Sequence, residues 1–285
     1  MTIVHDPRCA EYGSPLRPER PARVQRTVPH LRATHPDWRW KIPAAAPEEM
    51  LLLAHTPQHL KRLQRPADFD PDTPYVDGIY DHARRAVGAA LEAMELALSA
   101  NEKAFALMRP PGHHATAGQA MGFCYLNQVA IAALAARRRG VARVAVWDFD
   151  AHHGNGTEAL LDGRAGLFFA SVHQFPGYPG TGTRDSSNCR NWPVEPHAPR
   201  ERHMEALAQS WDAIAAFRPD LVLVSAGFDA YAHDPITTMM LEREDFAALG
   251  CWLGEAALPT AALLEGGYSD DLPELIDAFL AAWAG

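Results

Sequence analysis

Trp147-Asp148-Phe149-Asp150-Ala151-His152-His153-Gly154-Asn155-Gly156 puts two carboxylates and two imidazoles within six residues, directly after the apolar run Val141–Trp147. The run reads as a buried strand, and in an open α/β sheet the loop beyond a strand's carboxyl end is where ligands bind. Acids and imidazoles packed there would be costly if they were only structural. A metal site with its own proton-transfer groups accounts for them.

Outward from this stretch, further apolar runs predict strands at Ala104–Met108, Leu167–Val172, Leu221–Ser225 and Thr260–Leu264. Helical spacing predicts helices over Tyr80–Leu98, Asn127–Arg139, Arg200–Phe217 and Leu272–Trp283. Short apolar strands alternating with helices indicate a buried parallel sheet. There is no internal repeat and no linker, so residues 1–285 read as one α/β domain. The first seventy-odd residues are proline-rich (Pro7, Pro15, Pro18, Pro21, Pro66, Pro71, Pro74) and read as irregular. His55 and His59 have i, i+4 spacing. However, Thr56-Pro57 reads as an N-cap with proline at the first helical position, which leaves His55 outside the helix. The pair reads as structural.

Composition narrows the function classes. The chain is 47% hydrophobic and 21% charged, with 26 basic against 35 acidic residues and a formal charge of −9. Its longest run of like charge is Arg137-Arg138-Arg139, so binding of nucleic acid through a basic face is disfavoured. No apolar stretch reaches membrane-spanning length. The four cysteines form no CxxC pair and no secretory signal opens the chain, so a soluble cytoplasmic protein with reduced thiols is expected. Homo-oligomerisation is left open.

Four polar clusters follow apolar runs: His113-His114, Asp148 to Asn155, Asp229 and Tyr268. All fall at strand carboxyl ends and hence on one edge of a parallel sheet. Asp148, Asp150 and His152 alternate, and an extended backbone would point them the same way. Asp150 and His152 can reach one ion, with Asp229 arriving from another strand. Three ligands leave a position for water, as catalytic zinc requires, and Fe(II), Mn or Co also suit two carboxylates and an imidazole. His113-His114 then stand near that water as proton-transfer groups, with Asp148 and Asn155 as orienting partners, one for each imidazole. Tyr268, after two glycines, can offer a hydroxyl to a developing oxyanion.

These residues carry a resemblance. The chain resembles the zinc-dependent histone deacetylases and the related acetylpolyamine amidohydrolases. The matching pieces are RPERPAR (Arg17–Arg23), RPPGHHA (Arg109–Ala115), GFCYLNQVA (Gly122–Ala130), WDFDAHHGNGT (Trp147–Thr157), PGTG (Pro179–Gly182), SAGFDA (Ser225–Ala230) and LEGGY (Leu264–Tyr268). The resemblance implies the arginase-like α/β fold, a single domain around an eight-stranded parallel sheet flanked by helices. It implies one zinc ion on Asp150, His152 and Asp229, His113 paired with Asp148, His114 paired with Asn155, and Tyr268 polarising an amide carbonyl. Which histidine is base and which is acid stays open. It further implies that Gly122, Phe123 and Tyr178 wall an acyl-lysine tunnel and that Asp72 grips the substrate at the rim. A structural potassium ion would use backbone carbonyls of Asp148, His152 and Val172, with the side chains of Asp150 and Ser171.

Asn155 stands where the nuclear-type enzymes have aspartate and looks like the class II branch. The chain also begins almost at its first strand, so shortened capping loops are expected. The implied activity is hydrolysis of an N-acylated amine. Polyamine deacetylases place an acid near the tunnel mouth, where the resemblance puts Ile236 in this chain, which favours acyl-lysine-type substrates. Asp234 would weaken that argument if it pointed inward, and His233 reads as a solvated loop residue. Acetylpolyamines are the alternative. A non-catalytic acyl-binding protein is a second alternative, disfavoured because no ligand and no tyrosine is missing.

Overall fold

The computed structural model describes residues 1–285. Strands are β1 (Thr2–Val4), β2 (Arg39–Lys41), β3 (Ala104–Ala106), β4 (Val144–Asp148), β5 (Leu167–Gln174), β6 (Cys189–Val194), β7 (Leu221–Ala226) and β8 (Thr260–Leu264). Helices are α1 (Ala22–Thr34), α2 (Glu48–Leu51), α3 (Pro57–Leu63), α4 (Ile79–Ala100), α5 (Gln128–Arg138), α6 (Asn155–Leu161), α7 (Arg200–Phe217), α8 (Arg243–Glu255) and α9 (Leu272–Ala284). The strands form one sheet in the order β2-β1-β3-β8-β7-β4-β5-β6, and every pairing is parallel. No helix is long and apolar enough to cross a membrane.

The proline-rich first segment is more regular than its composition suggests. It contributes β1, β2 and α1, and α1 carries Pro29 within it. Thr56 caps α3 by accepting the N–H of His59, so His55 does lie before the helix. His55 instead meets the carbonyl of Thr116 (2.9 Å) and the N–H of Asn127 (2.9 Å), whereas His59 meets the carbonyl of Tyr125 (2.8 Å). Both are structural cross-links.

The sheet order places the site. From β3 the chain passes to β4, leaving a gap that β7 and β8 fill later, so β3, β8, β7 and β4 are consecutive neighbours. These are the strands whose carboxyl ends carry His113-His114, Tyr268, Asp229 and Asp150-His152. Beyond the strands, aromatic residues beside the acids turn into the core. Phe149 and Phe228 are buried and pack with ring centroids 6.1 Å apart. Phe149 also meets Phe279 of α9 (5.5 Å), and Trp147 meets Trp211 of α7 (4.8 Å). Each aromatic buries roughly 150–250 Å². The loops bearing Asp148, Asp150 and Asp229 are thus pinned to the core by the residues between and before the acids. In register, Asp148 lies opposite Ser171 on β5 and Ser225 on β7.

Candidate active site

Asp150, His152 and Asp229 bring one ligand atom each to within 4.8 Å of one another. They do not converge through an extended backbone. β4 ends at Asp148, and the chain then turns on its own carboxylates. Asp150 N–H donates to Asp148 Oδ1 (3.2 Å), and His152 N–H donates to Asp150 Oδ1 (2.9 Å). His152 Nδ1 lies 2.9 Å from Asp229 Oδ2 and 3.2 Å from Asp150 Oδ1. Backbone N–H groups hold the other oxygens, Ala151 on Asp229 Oδ1 (2.8 Å) and Gly266 on Asp150 Oδ2 (2.7 Å). Glycine is required beside these acids. A Cβ on Gly227 would stand 2.2 Å from Asp150 Oδ2, and one on Gly266 would stand 2.3 Å from Asp229 Oδ2.

Asp148, Asp150 and Asp229 are buried, and their only ion-pair partners are histidines. Burial, with the charge of Asp150, pushes the Asp229 carboxyl up. Three buried acids without lysine or arginine leave the centre short of positive charge. Two carboxylates and one imidazole, held by the backbone around a common point, fit a divalent cation.

His113 and His114 lie beside this centre, ring centroids 4.0 Å apart. His113 Nδ1 faces Asp148 Oδ2 at 3.0 Å, and its Nε2 is 3.7 Å from Asp150 Oδ1. Burial disfavours its cation, but the charges of Asp150 and Asp148 prevail and hold its pKa well above the ordinary histidine value. His114 Nδ1 faces Asn155 Oδ1 at 2.8 Å. Burial and then the neighbouring His113 and His152 push its pKa well below that value. The pKa values of two adjacent imidazoles are thereby driven apart, upward by carboxylates for His113 and downward by burial and neighbouring imidazoles for His114.

A cavity of about 240 Å³ opens over the centre. His114, His152 and Tyr268 line its depth, Gly122, Phe123 and Tyr178 its walls, and the exposed Asp72 and Ile236 its mouth. The rings of His114 and Tyr178 are 5.1 Å apart, and those of Phe123 and Tyr268 5.7 Å. Phe123 N–H donates to Thr73 Oγ1 (3.0 Å), which ties the Asp72 loop to the wall. His113 does not line the cavity. Ser171 and Val172 lie buried on β5, with Ser171 Oγ 2.9 Å from His173 Nδ1. His233 is exposed.

The histone deacetylase domain model matches residues 17–283. The chain belongs to the histone deacetylase family. Its members include deacetylases and other amidohydrolases. An uncharacterized protein of Synechocystis is 40% identical over 277 residues, 92% of this chain and 90% of its own. Among solved structures, the HDA15 HD domain superposes with a TM-score of 0.92 at 27% identity, covering 100% of this chain and 91% of that one. An acetylpolyamine aminohydrolase from Burkholderia pseudomallei gives 0.88 at 26% identity, covering 100% and 99%.

Two residues of this histone deacetylase family chain act on Tyr268 in ways its sequence did not reveal. Arg23, on α1, donates to the carbonyls of Gly267 (2.7 Å) and Glu265, and its guanidinium lies 4.7 Å from the centroid of the Tyr268 ring. Asp234 does not point into the mouth. Its Oδ2 accepts Tyr268 N–H (2.7 Å) and its Oδ1 accepts Ile236 N–H (3.1 Å), so one carboxylate ties the mouth loop to the tyrosine. Arg23 sits within the quoted RPERPAR, but its partners are more than 240 residues away. No local pattern announces such a contact.

Proposed function

We propose that this chain is a zinc-dependent amidohydrolase that removes acetyl or other acyl groups from amines, with acyl-lysine-type substrates foremost. The observation that carries the reading is an aromatic-walled cavity that reaches His152 of a metal-competent triad, with the His114 imidazole and Tyr268 beside it. Zinc on Asp150, His152 and Asp229 would supply Lewis acidity to a water and to the acyl carbonyl. His114 is the proton carrier, because it, not His113, reaches the cavity. Asn155 Nδ2 points at the His114 carbonyl (3.5 Å), which leaves Asn155 Oδ1 to accept the His114 Nδ1–H. Nε2 is then free to take a proton from the attacking water and return it to the leaving amine. His113, tied to Asp148, stands behind His114 and does not reach the cavity. Burial holds the Tyr268 hydroxyl protonated, so it donates to the oxyanion.

Ile236 at the mouth, with Asp234 turned onto the backbone, supports acyl-lysine-type over acetylpolyamine substrates. The second reading, an acetylpolyamine deacetylase, draws on Asp72 at the same mouth and on the likeness to the Burkholderia enzyme. A structural potassium ion is proposed on the carbonyls of Asp148, His152 and Val172 with the side chains of Asp150 and Ser171. A cytoplasmic location fits the four free cysteines.

The test is a matched panel of acetyl-lysine peptides, longer acyl-lysines and acetylpolyamines, with and without a strong chelator. Chelator-sensitive hydrolysis of acyl-lysines is expected. Tyr268→Phe should lower kcat by about 10²–10³-fold with the metal retained. Zinc-loaded protein that turns over no member of the panel would refute the reading, and preferred turnover of acetylpolyamines would favour the second one.

A further inference from the structure

Pro110 and Pro111 leave the approach to His113 with no N–H to bind a neighbouring strand, and β3 has already ended at Ala106. The next two N–H groups, those of Gly112 and His113, are buried and meet no backbone acceptor. A side chain from β8's end meets both. Glu265, 1% exposed, turns beneath the loop, and its Oε2 accepts Gly112 N–H at 2.7 Å and His113 N–H at 3.2 Å. Its other oxygen, Oε1, lies 3.3 Å from Ser225 Oγ at the end of β7. The loops beyond β3 and β8 and the end of β7 are therefore joined at one carboxyl group.

We infer that Glu265 is a positioning residue for the histidine pair: its Oε2 fixes the main chain at Gly112-His113, and with it the direction of both imidazoles. The inference rests on the proposed role of that pair. A buried N–H pair without an acceptor is costly, so the loop would move to find one. Asp148 and Asn155 orient the rings from their Nδ1 atoms, and Thr157 N–H holds the His113 carbonyl (3.1 Å), but Glu265 alone takes the N–H groups of Gly112 and His113.

What the anchor requires is an oxygen, not a charge. Burial pushes the Glu265 carboxyl up to about 7. Its protonated form can donate from Oε1 to Ser225 Oγ while Oε2 still accepts both N–H groups. Glutamine has the same shape, with an amide oxygen for Oε2 and an NH₂ toward Ser225. Methionine nearly fills the space but offers no oxygen.

Zinc-loaded E265Q and E265M therefore separate this role from others, with kcat, KM, zinc per chain and amide exchange at Gly112 and His113 as readouts. E265M should lose kcat on the order of 10²-fold, the effect of a misplacement of about 1 Å, with KM and zinc content retained. E265Q should recover most of the lost kcat. The two amides should exchange slowly in wild type and E265Q and fast in E265M. Full kcat in E265M overturns the inference, and so does a loss in E265Q as deep as in E265M. If E265M does not fold, E265Q decides alone: most of the wild-type kcat with slow exchange of both amides is expected, and a loss of kcat on the order of 10²-fold overturns the inference. Amide exchange needs no turnover, so it judges the anchor even if the wild type hydrolyses no N-acyl amine.

Discussion

Replacing Asn155 with aspartate puts a carboxylate where an amide oxygen now stands, 2.8 Å from His114 Nδ1. Both groups accept the Nδ1–H; the NH₂ that faces the His114 carbonyl is lost with the amide, and a negative charge is gained. A negative charge at this range favours the imidazolium and raises its pKa by about 1–3 units, or roughly 1.4–4 kcal/mol. The present value is well below that of ordinary histidine, held there by burial and by His113 and His152. A base works in its neutral form. Raising its pKa therefore leaves it protonated to higher pH, and activity at the acid end falls. The pH profile of kcat/KM reports the free enzyme's essential groups. In N155D its acid limb should move up by about 1–3 pH units, with zinc content unchanged. A limb that stays in place would show that His114 is not the base whose ionisation limits the reaction.

Asp234→Asn exchanges one of the two oxygens that hold Tyr268 N–H and Ile236 N–H for an NH₂ group. Losing a buried charge-assisted bond costs about 1.5–3 kcal/mol. kcat should fall by an order of magnitude or more with zinc retained, and an unimpaired kcat would show that Asp234 does not hold the tyrosine. His203 on α7 is buried with neither ring nitrogen hydrogen-bonded, and burial depresses its pKa to about 3. Its folded-state value lies below the unfolded one, so its contribution is intact at neutral pH and lost as pH falls from about 6.5 toward 3, amounting to about 2 kcal/mol by pH 5. Urea midpoints at the two pH values should show a smaller acid loss in His203→Leu than in wild type; equal losses would remove His203 from the pH dependence.

The sequence made the middle of the sheet legible because β4, β7 and β8 are short apolar runs with chemistry-bearing residues just beyond them. Helix α7 was read to its ends. The strands that escaped lie at or near the sheet's edges. β2 is three residues long and partly exposed, and β6 contains Pro193, which an edge strand tolerates. Near the site, Asp150, His152 and Asp229 stood out because acids and imidazoles at strand ends are expensive. The direction of Asp234 and the reach of Arg23 were not legible, because both depend on backbone groups brought near by the tertiary fold. Alternation predicts that Asp148, Asp150 and His152 point the same way, but turns on the Asp148 and Asp150 carboxylates, not an extended strand, aim Asp150 and His152.

The sheet order has a consequence for how the molecule is made. β8 sits between β3 and β7, yet it is the last strand in the chain. A ribosome that has delivered everything up to α8 has made two separate pieces of sheet, β2-β1-β3 and β7-β4-β5-β6, with an open seam between them. Seven of eight strands exist at that stage, but Tyr268 does not, and β3 and β7 each lack the strand that pairs with both of them. Long-range pairing of this kind is slow and leaves strand edges exposed while it waits. Closing the seam and bringing Tyr268 to the reaction centre are therefore one event, which waits for β8.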